Sequence, residues 1–242
     1  MTVKTDALGW LLNTQVLFAA FGVLLPRSFR VWAWRLVFPL GVASLVLRWY
    51  VAGHPPMRNL FEAFLWLPPL LVMGTWWTRL REGLDTTRLD ACLGLLVAFP
   101  LAFVFSAQMV PLPPALQSPF FVPHVLGYMA AYALLARAFV LACGKHERAS
   151  ERNLMWGFCL LTLALTLGSV WGNEAWGAYW QWDPKEQWSL ATWLIYVACL
   201  HLPRRHFARK VLLGLGLLAI VLTVTWINLS KLFPGMHSYA GI

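Results

Sequence analysis

A tryptophan-rich stretch, WGNEAWGAYWQWDPKEQW at Trp171–Trp188, contains the residues best suited to hold a flat ligand. Five of the 15 tryptophans of the chain lie in it: Trp171, Trp176, Trp180, Trp182 and Trp188. Two glycines, Gly172 and Gly177, each follow a tryptophan directly. Large indole faces beside glycine gaps suit a broad, planar, apolar ligand. An interfacial aromatic belt, common in membrane proteins, explains the tryptophans equally well.

Two histidines, His124 and His237, are predicted to lie at the same height as this stretch. His124 begins an apolar run directly after a proline, and His237 follows the last apolar run. Neutral imidazoles on the two faces of a flat ring could supply both axial ligands of a haem iron. The alternative is two interfacial histidines that bond to water or backbone. A third histidine, His201, lies near the far end of an apolar run, and an ionisable group at membrane depth is a functional candidate.

The segment Asp183–Glu186 (DPKE) begins a helix. Asp183 suits the N-cap position, Pro184 the first helical position and Glu186 the third. A cation is disfavoured in the first turn, so capping does not explain Lys185. Lys185 is therefore a candidate partner for a ligand carboxylate, and Arg58 is a second candidate in another loop on the same side.

The composition indicates a polytopic membrane protein. Of the 242 residues 60% are hydrophobic and 12% charged, with a mean hydropathy of +0.63. Soluble domains carry about 25% charged residues. A soluble enzyme, a disordered chain and a nucleic-acid-binding domain are thereby excluded. Each apolar run can cross a bilayer as a helix. The runs are Leu8–Leu25, Val31–Ala52, Leu60–Trp77, Ala91–Val110, His124–Cys143, Asn153–Val170, Trp188–Leu202 and Val211–Leu229.

The expected fold is all-α: one integral membrane helix bundle over residues 1–242 with about eight transmembrane helices. Alternate loops hold 12 Lys and Arg residues and the opposite loops 4, so the first set is predicted to be cytoplasmic. Both termini, the Trp-rich stretch and the tail Pro234–Ile242 are then extracytoplasmic. The four cysteines form no CxxC motif, so neither a zinc site nor a disulfide framework is indicated.

The Trp-rich stretch resembles the WWD signature of haem-handling proteins. Its WDPKE segment, followed by a span with a histidine at its end, is similar to the CcsA (ResC) family of system II cytochrome c biogenesis. Further matches are GHPPMRNLFEAF at His54–Phe64, the outer His124 and MHSYA at Met236–Ala240. The resemblance covers the chain from about residue 45 to its end. Arg58 stands where the family has serine.

The resemblance implies that the protein binds haem b, moves it to the outer face and presents it to the CxxCH motif of apocytochrome c for thioether formation. It implies haem iron ligation by His124 and His237 outside and by His201 within the bilayer. It also implies a haem platform on the Trp-rich stretch: Trp171, Trp176, Gly177, Trp180, Trp182, Asp183 and Trp188. Lys185 and Arg58 are the expected partners of the haem propionates.

The implied partners are the CcsB (ResB) subunit, apocytochrome c, membrane lipid and, indirectly, thiol-reducing proteins. The implied location is the cell inner or plasma membrane, as a multi-pass component of a cytochrome c synthase (haem lyase). The resemblance leaves open whether this chain alone is catalytic. Two alternatives stay open: a haem carrier of the CcmC type, which delivers haem to a chaperone without ligation, and an unrelated binder of quinone or lipid.

Overall fold

The computed structural model describes residues 2–109, 111–204, 206–229 and 236–237. Within these residues the chain forms nine α-helices and one short 3-10 helix, Pro114–Leu116, and no strand. The α-helices are α1 Thr2–Leu24, α2 Arg27–Ala52, α3 Leu60–Phe64, α4 Leu67–Glu82, α5 Thr87–Phe103, α6 Phe121–Cys143, α7 Glu147–Trp176, α8 Pro184–Leu200 and α9 Phe207–Leu229. The predicted all-α class is confirmed. Of the predicted outer tail Pro234–Ile242, all but Met236 and His237 lies outside the described residues.

Six segments among the described residues are long and apolar enough to cross a membrane. They are Asp6–Leu24, Arg27–Ala52, Leu60–Glu82, Phe121–Cys143, Glu147–Trp176 and Phe207–Thr225. The fourth and seventh predicted runs contain the shorter helices α5 and α8, each of 17 residues. A helix of that length is about 26 Å long, slightly less than the hydrocarbon thickness.

Two predicted runs differ from the helices in detail. The third run divides into α3 and α4, because Pro68 and Pro69 occupy the first turn of α4 and cannot donate backbone hydrogen bonds to the turn before it. The sixth run ends at Val170 by hydropathy, whereas α7 continues to Trp176. The continuation places Trp171 and Trp176 on the same helix, and it gives them fixed positions relative to each other.

The residues group into two compact units. Unit 1 comprises residues 1–57 and 61–111, and unit 2 comprises residues 58–60 and 112–242. The expectation of a single domain over the whole chain stays a prediction. All three predicted haem-ligating histidines and the whole Trp-rich stretch belong to unit 2.

Unit 1 packs α1 against α2 and α5, and α2 against α4. Its core includes Leu8, Leu12, Leu45, Phe61, Leu65 and Leu101. The buried Arg48 guanidinium forms an ion pair of 2.8 Å with Glu62 and donates to the carbonyls of Ala107 and Gln108. Because every described bond of this guanidinium has a charged or carbonyl acceptor, the cost of burying its charge is offset.

Unit 2 packs α6 along α7 and α8 along α9, and α6 also contacts α9. Small residues allow the close approach of these helices. A Cβ atom at Gly127 would lie 3.1 Å from that of Ala164, and one at Gly216 would lie 2.5 Å from the ring of Tyr196. Interfaces of this kind are typical of helices packed in a membrane, where van der Waals contact between backbones drives association. The close α6–α7 pairing is what positions His124.

Candidate functional site

The candidate site lies in unit 2, where α6 begins, α7 ends and α8 begins. It contains His124 from the first turn of α6, two tryptophans from the last two turns of α7, the residue before α8, and His237 beyond α9. These side chains come from four parts of the sequence, and the helix ends bring them together.

His124 is held by the backbone of α7. Its Nδ1 lies 2.8 Å from the carbonyl oxygen of Ala164. A carbonyl can only accept, so Nδ1 carries the proton and donates it. The other ring nitrogen, Nε2, is then the unprotonated one, and its lone pair is available to a metal.

The ring of His124 occupies a space that a glycine leaves open. A Cβ atom at Gly168, one turn after Ala164, would lie 2.3 Å from the imidazole. Two aromatic rings complete the surroundings. Tyr128 contacts the imidazole edge-on at 5.0 Å between centroids, and Trp171 stacks on it at 5.5 Å with an interplanar angle of 26°. The imidazole is thus fixed by one hydrogen bond and by contacts on several sides.

His237 is held by a carboxylate. Its Nδ1 lies 3.0 Å from Oδ1 of Asp183, and the backbone amide of Met236 donates to Oδ2 of the same side chain at 2.6 Å. Asp183 is also the N-cap of α8 and accepts from the amide of Lys185 at 2.9 Å. The predicted capping box with Glu186 is confirmed. One carboxylate therefore both begins α8 and orients His237.

The ionisation of this pair favours a single tautomer. Burial opposes ionisation of Asp183, but the hydrogen bond and charge of His237 and the amides of Lys185 and Met236 outweigh it and lower the pKa of Asp183 to about 2. Burial lowers the pKa of His237, against the opposing effect of Asp183 and with the support of the Lys185 charge. At neutral pH a neutral His237 faces an ionised Asp183, so Nδ1 donates and Nε2 stays unprotonated.

Trp171 is a common neighbour of the two histidines. Its ring centroid lies 5.5 Å from that of His124 and 5.7 Å from that of His237. The indole is 2% exposed, and its Nε1 donates to the carbonyl of Ala115, in the 3-10 helix, at 2.7 Å. Trp176 packs edge-on against His237 at 4.7 Å. Trp171 thus contacts both histidines as a buried ring rather than as an open face.

The rest of the Trp-rich stretch turns sharply after α7. Gly177 ends the helix with a φ of 78°, a left-handed conformation that glycine adopts without strain. Trp182 has a φ of 58° and is 65% exposed. Glu186 accepts from the backbone amide of Gln181, and Gln187 donates to the carbonyl of Trp182 at 2.6 Å. The strained backbone at Trp182 is thereby fixed from the first turn of α8.

The other predicted site residues have different surroundings. Trp180 contacts Trp182 edge-on at 5.9 Å, and Lys185 and Trp188 are half-buried on the first two turns of α8. Arg58 is 9% exposed. His201 lies at the opposite end of α8, exposed, with Nδ1 2.8 Å from the carbonyl of Val197. The 18 residues that separate it from Asp183 span roughly 27 Å of helix, so His201 is not part of this site.

Three positioning residues were not predicted: Ala164, Gly168 and Ala115. Two of them carry a sequence signal, since Ala164 and Gly168 have the small-xxx-small spacing of close helix contacts in membranes. Ala115 contributes only its carbonyl oxygen, which any residue type would supply. No pattern of side chains could have indicated it.

Comparison with known proteins gives the family. Residues 57–237 match the cytochrome C assembly protein family. A cytochrome c biogenesis protein CcsA from Synechococcus sp. (strain CC9311) is 32% identical, over 81% of this chain and 83% of the relative. The protein of the same name from Chlamydomonas reinhardtii is 33% identical, over 82% of this chain and 64% of the relative.

A solved structure shares the fold. The cytochrome c haem lyase CcmF superposes with a TM-score of 0.63 over 92% of this chain, at 17% sequence identity. This chain spans 46% of the CcmF chain, just under half. With six long apolar segments in an all-helical fold, the chain is a multi-pass membrane protein. It therefore belongs to the cytochrome C assembly protein family and, within it, groups with the CcsA proteins of cytochrome c biogenesis.

Proposed function

We propose that this protein binds haem b as its cargo between His124 and His237, on the extracytoplasmic side, and presents it for covalent attachment to apocytochrome c. One observation carries the proposal. Both histidines have Nδ1 bonded to an acceptor, the carbonyl of Ala164 in one case and the Asp183 carboxylate in the other. Each Nε2 is left as a lone pair donor, which is the state that a haem iron requires from an axial ligand.

The neighbouring side chains fit the remainder of a haem molecule. The indole of Trp176 contacts His237, and those of Trp180 and Trp182 contact each other; all three are proposed to offer apolar faces to the macrocycle. Lys185 acts electrostatically on His237, so its charge lies close to the site. Lys185 and Arg58 are the proposed partners of the propionates. Trp171, which is buried, contacts both histidines.

The attachment reaction requires only binding and orientation of the haem from this chain. In the attachment reaction each cysteine S–H of CxxCH adds across a haem vinyl C=C, so a C–S and a C–H bond form and no electrons are gained or lost. The residues of this chain would bind and orient the haem, which converts a bimolecular encounter into an oriented one. The reduced thiols come from outside the chain, from the thiol-reducing proteins already expected.

A second histidine site and a partner subunit belong to the same proposal. His201, at the other end of α8, would hold haem at membrane depth before it reaches the outer site. CcsB would supply the opposing ligand there and would complete the synthase. The charge bias of the loops supports an extracytoplasmic side for the Trp-rich stretch, and the proposed membrane is the inner or plasma membrane.

The test is co-expression of the chain with CcsB and a reporter apocytochrome c in a strain that lacks its own maturation system. We expect His124→Ala and His237→Ala each to abolish covalent cytochrome c and to change the Soret spectrum of the purified complex. Added imidazole can replace a missing side-chain ligand, so it should partly restore both the covalent cytochrome c and the wild-type Soret spectrum. Full maturation by the double variant would overturn the assignment. Haem bound with a normal spectrum but no covalent product would instead indicate a carrier of the CcmC type.

A further inference from the structure

Two arginines in unit 1, Arg27 and Arg30, form ion pairs with a single carboxylate, far in sequence from the proposed haem site. Asp85, in the loop between α4 and α5, accepts from Nε of Arg27 at 2.9 Å through Oδ2. Its other oxygen, Oδ1, accepts from the amide and the hydroxyl of Thr87 at 3.1 and 2.6 Å. Burial opposes the ionisation of Asp85, but these bonds and the charge of Arg30 outweigh it and lower its pKa. Asp85 is thus ionised and already occupied by its own neighbours.

Arg30 is incompletely satisfied by this carboxylate. One of its terminal nitrogens lies 3.8 Å from Oδ2 of Asp85, which is an ion pair but exceeds hydrogen-bond distance. Its Nε is shielded from solvent and has no hydrogen-bond partner among the described residues. The side chain as a whole is 18% exposed. An unsatisfied buried donor is unfavourable, and an acceptor from outside the chain would relieve it.

The charge around Arg30 favours an anion as that acceptor. Arg88, in the first turn of α5, directs its Nε to the carbonyl of Val23 near the end of α1, at 3.1 Å. Arg27, Arg30 and Arg88 thus lie around the ends of three neighbouring helices, and Arg27 and Arg30 have Asp85 as their described carboxylate partner. A guanidinium fork matches the spacing of two phosphate oxygens, with Nε and a terminal nitrogen each donating to one.

The apolar side chains beside these arginines indicate where the phosphate comes from. Leu24 and Phe29, which flank Arg27 in sequence, are 74% and 67% exposed. Trp32, on the next turn of α2, is 66% exposed. A free phosphate ion would leave these apolar side chains uncovered. The acyl chains of a phospholipid would cover them while its headgroup contacts the arginines. Trp is also enriched at the level of the lipid headgroups.

We propose that Arg27 and Arg30, with Arg88 beside them, form a binding site for the phosphate of an anionic phospholipid at the end of unit 1 that the charge bias assigns to the cytoplasmic leaflet. These arginines belong to unit 1, whereas the proposed haem-ligating histidines belong to unit 2. Its occupant would anchor the α1–α2 and α4–α5 loops and would supply the missing acceptor of Arg30.

The test uses the purified full chain with CcsB in a neutral detergent, with phosphatidylglycerol or phosphatidylcholine added and the midpoint of thermal unfolding measured. We expect phosphatidylglycerol to raise the wild-type midpoint by several degrees more than phosphatidylcholine. Arg30→Gln should lose most of that difference, and Arg30→Lys, which keeps the charge but not the fork, should keep part of it. The matched control is Arg79→Gln, an exposed arginine in the last turn of α4, which should respond as the wild type does.

Native mass spectrometry on the same samples counts retained phosphatidylglycerol. We expect at least one fewer bound lipid in Arg30→Gln, and Arg27→Gln serves as the second variant if Arg30→Gln does not fold. Equal stabilisation by both lipids, or an undiminished response in these variants, would overturn the proposal. An equal shift with millimolar inorganic phosphate in place of lipid would overturn the lipid assignment, because it would indicate a free-anion site.

Discussion

His237 and Asp183 are 54 residues apart in the sequence, and a hydrogen bond of 3.0 Å joins Nδ1 of the histidine to Oδ1 of the aspartate. The same carboxylate caps α8 and accepts from the amide of Met236. The start of α8 and the segment beyond α9 are therefore connected through one side chain. The orientation of a proposed haem ligand depends on a residue whose sequence context indicates a helix cap.

Replacement of Asp183 by asparagine should weaken the proposed haem site without removing the cap. Asparagine caps helices as well as aspartate does, but it lacks the negative charge that makes the ligand more basic. Loss of such an outer partner typically costs 10–100-fold in metal affinity. We expect Asp183→Asn to lower haem affinity by about that factor and to raise the haem reduction potential, measured by spectroscopic titration of the purified complex.

The control for that variant is Glu186→Gln. Glu186 completes the capping box, and glutamine can replace glutamate in it. This variant alters the same helix start but leaves the bond between Asp183 and His237 in place. Equal losses of haem affinity in Asp183→Asn and Glu186→Gln would show that haem affinity depends on the start of α8 and not on the bond between Asp183 and His237.

The stability of the protein should depend on pH through Asp183. Its pKa is about 2 in the folded protein against an ordinary value of 3.8, so folding favours the ionised form. The resulting stabilisation, on the order of 2 kcal/mol, is present above pH of about 4 and is lost as the pH falls towards 2. The free energy of unfolding in detergent should be larger for the wild type than for Asp183→Asn at neutral pH. This difference should disappear as the pH falls from about 4 towards 2. A difference in the free energy of unfolding that stays constant with pH would contradict this prediction.

Replacement of Gly168 by alanine should displace His124. The new Cβ would lie 2.3 Å from the imidazole, a distance that no relaxed contact has, so the ring or helix α6 must shift. We expect loss of the bond to Ala164, a changed Soret spectrum and at least a tenfold decrease in cytochrome c maturation. The control is Gly9→Ala in α1, where nothing lies within 4 Å of the new atom. Equal maturation by the two variants would refute the packing of His124 against α7.

Trp171 should act through its hydrogen bond rather than through an exposed face. Trp171→Phe keeps an aromatic ring beside both histidines but leaves the carbonyl of Ala115 without its donor. We expect about 1 kcal/mol loss of stability together with weaker haem binding, measured by thermal unfolding and haem titration. Trp182→Phe is the matched control, since Trp182 is 65% exposed. Its stability should stay near that of the wild type, and a loss as large as that of Trp171→Phe would contradict the distinction.

The sequence predicted the helices more accurately than the surroundings of the candidate site residues. Apolar runs and the DPKE cap are local signals, so the helix positions and the start of α8 could be predicted. The bond from His237 to Asp183 and that from Trp171 to Ala115 depend on how distant segments pack, and no local pattern encodes them. The burial of Trp171 is the clearest example, because the Trp-rich pattern predicts a platform of equivalent residues, whereas α7 turns this indole inward.

His201 provides the last test, because it lies roughly 27 Å along α8 from Asp183. If the two histidine sites are separate, removal of His201 should leave the outer site intact. Purified His201→Ala should bind added haem with the spectrum of the wild type, whereas His124→Ala should not. In cells His201→Ala should carry less haem, since the proposed inner site that supplies the outer one is lost. His206→Ala, an exposed histidine in the adjacent loop, is the control and should behave as the wild type in both measurements. Loss of added-haem binding in His201→Ala to the extent seen in His124→Ala would mean that the two ends of α8 act as one site.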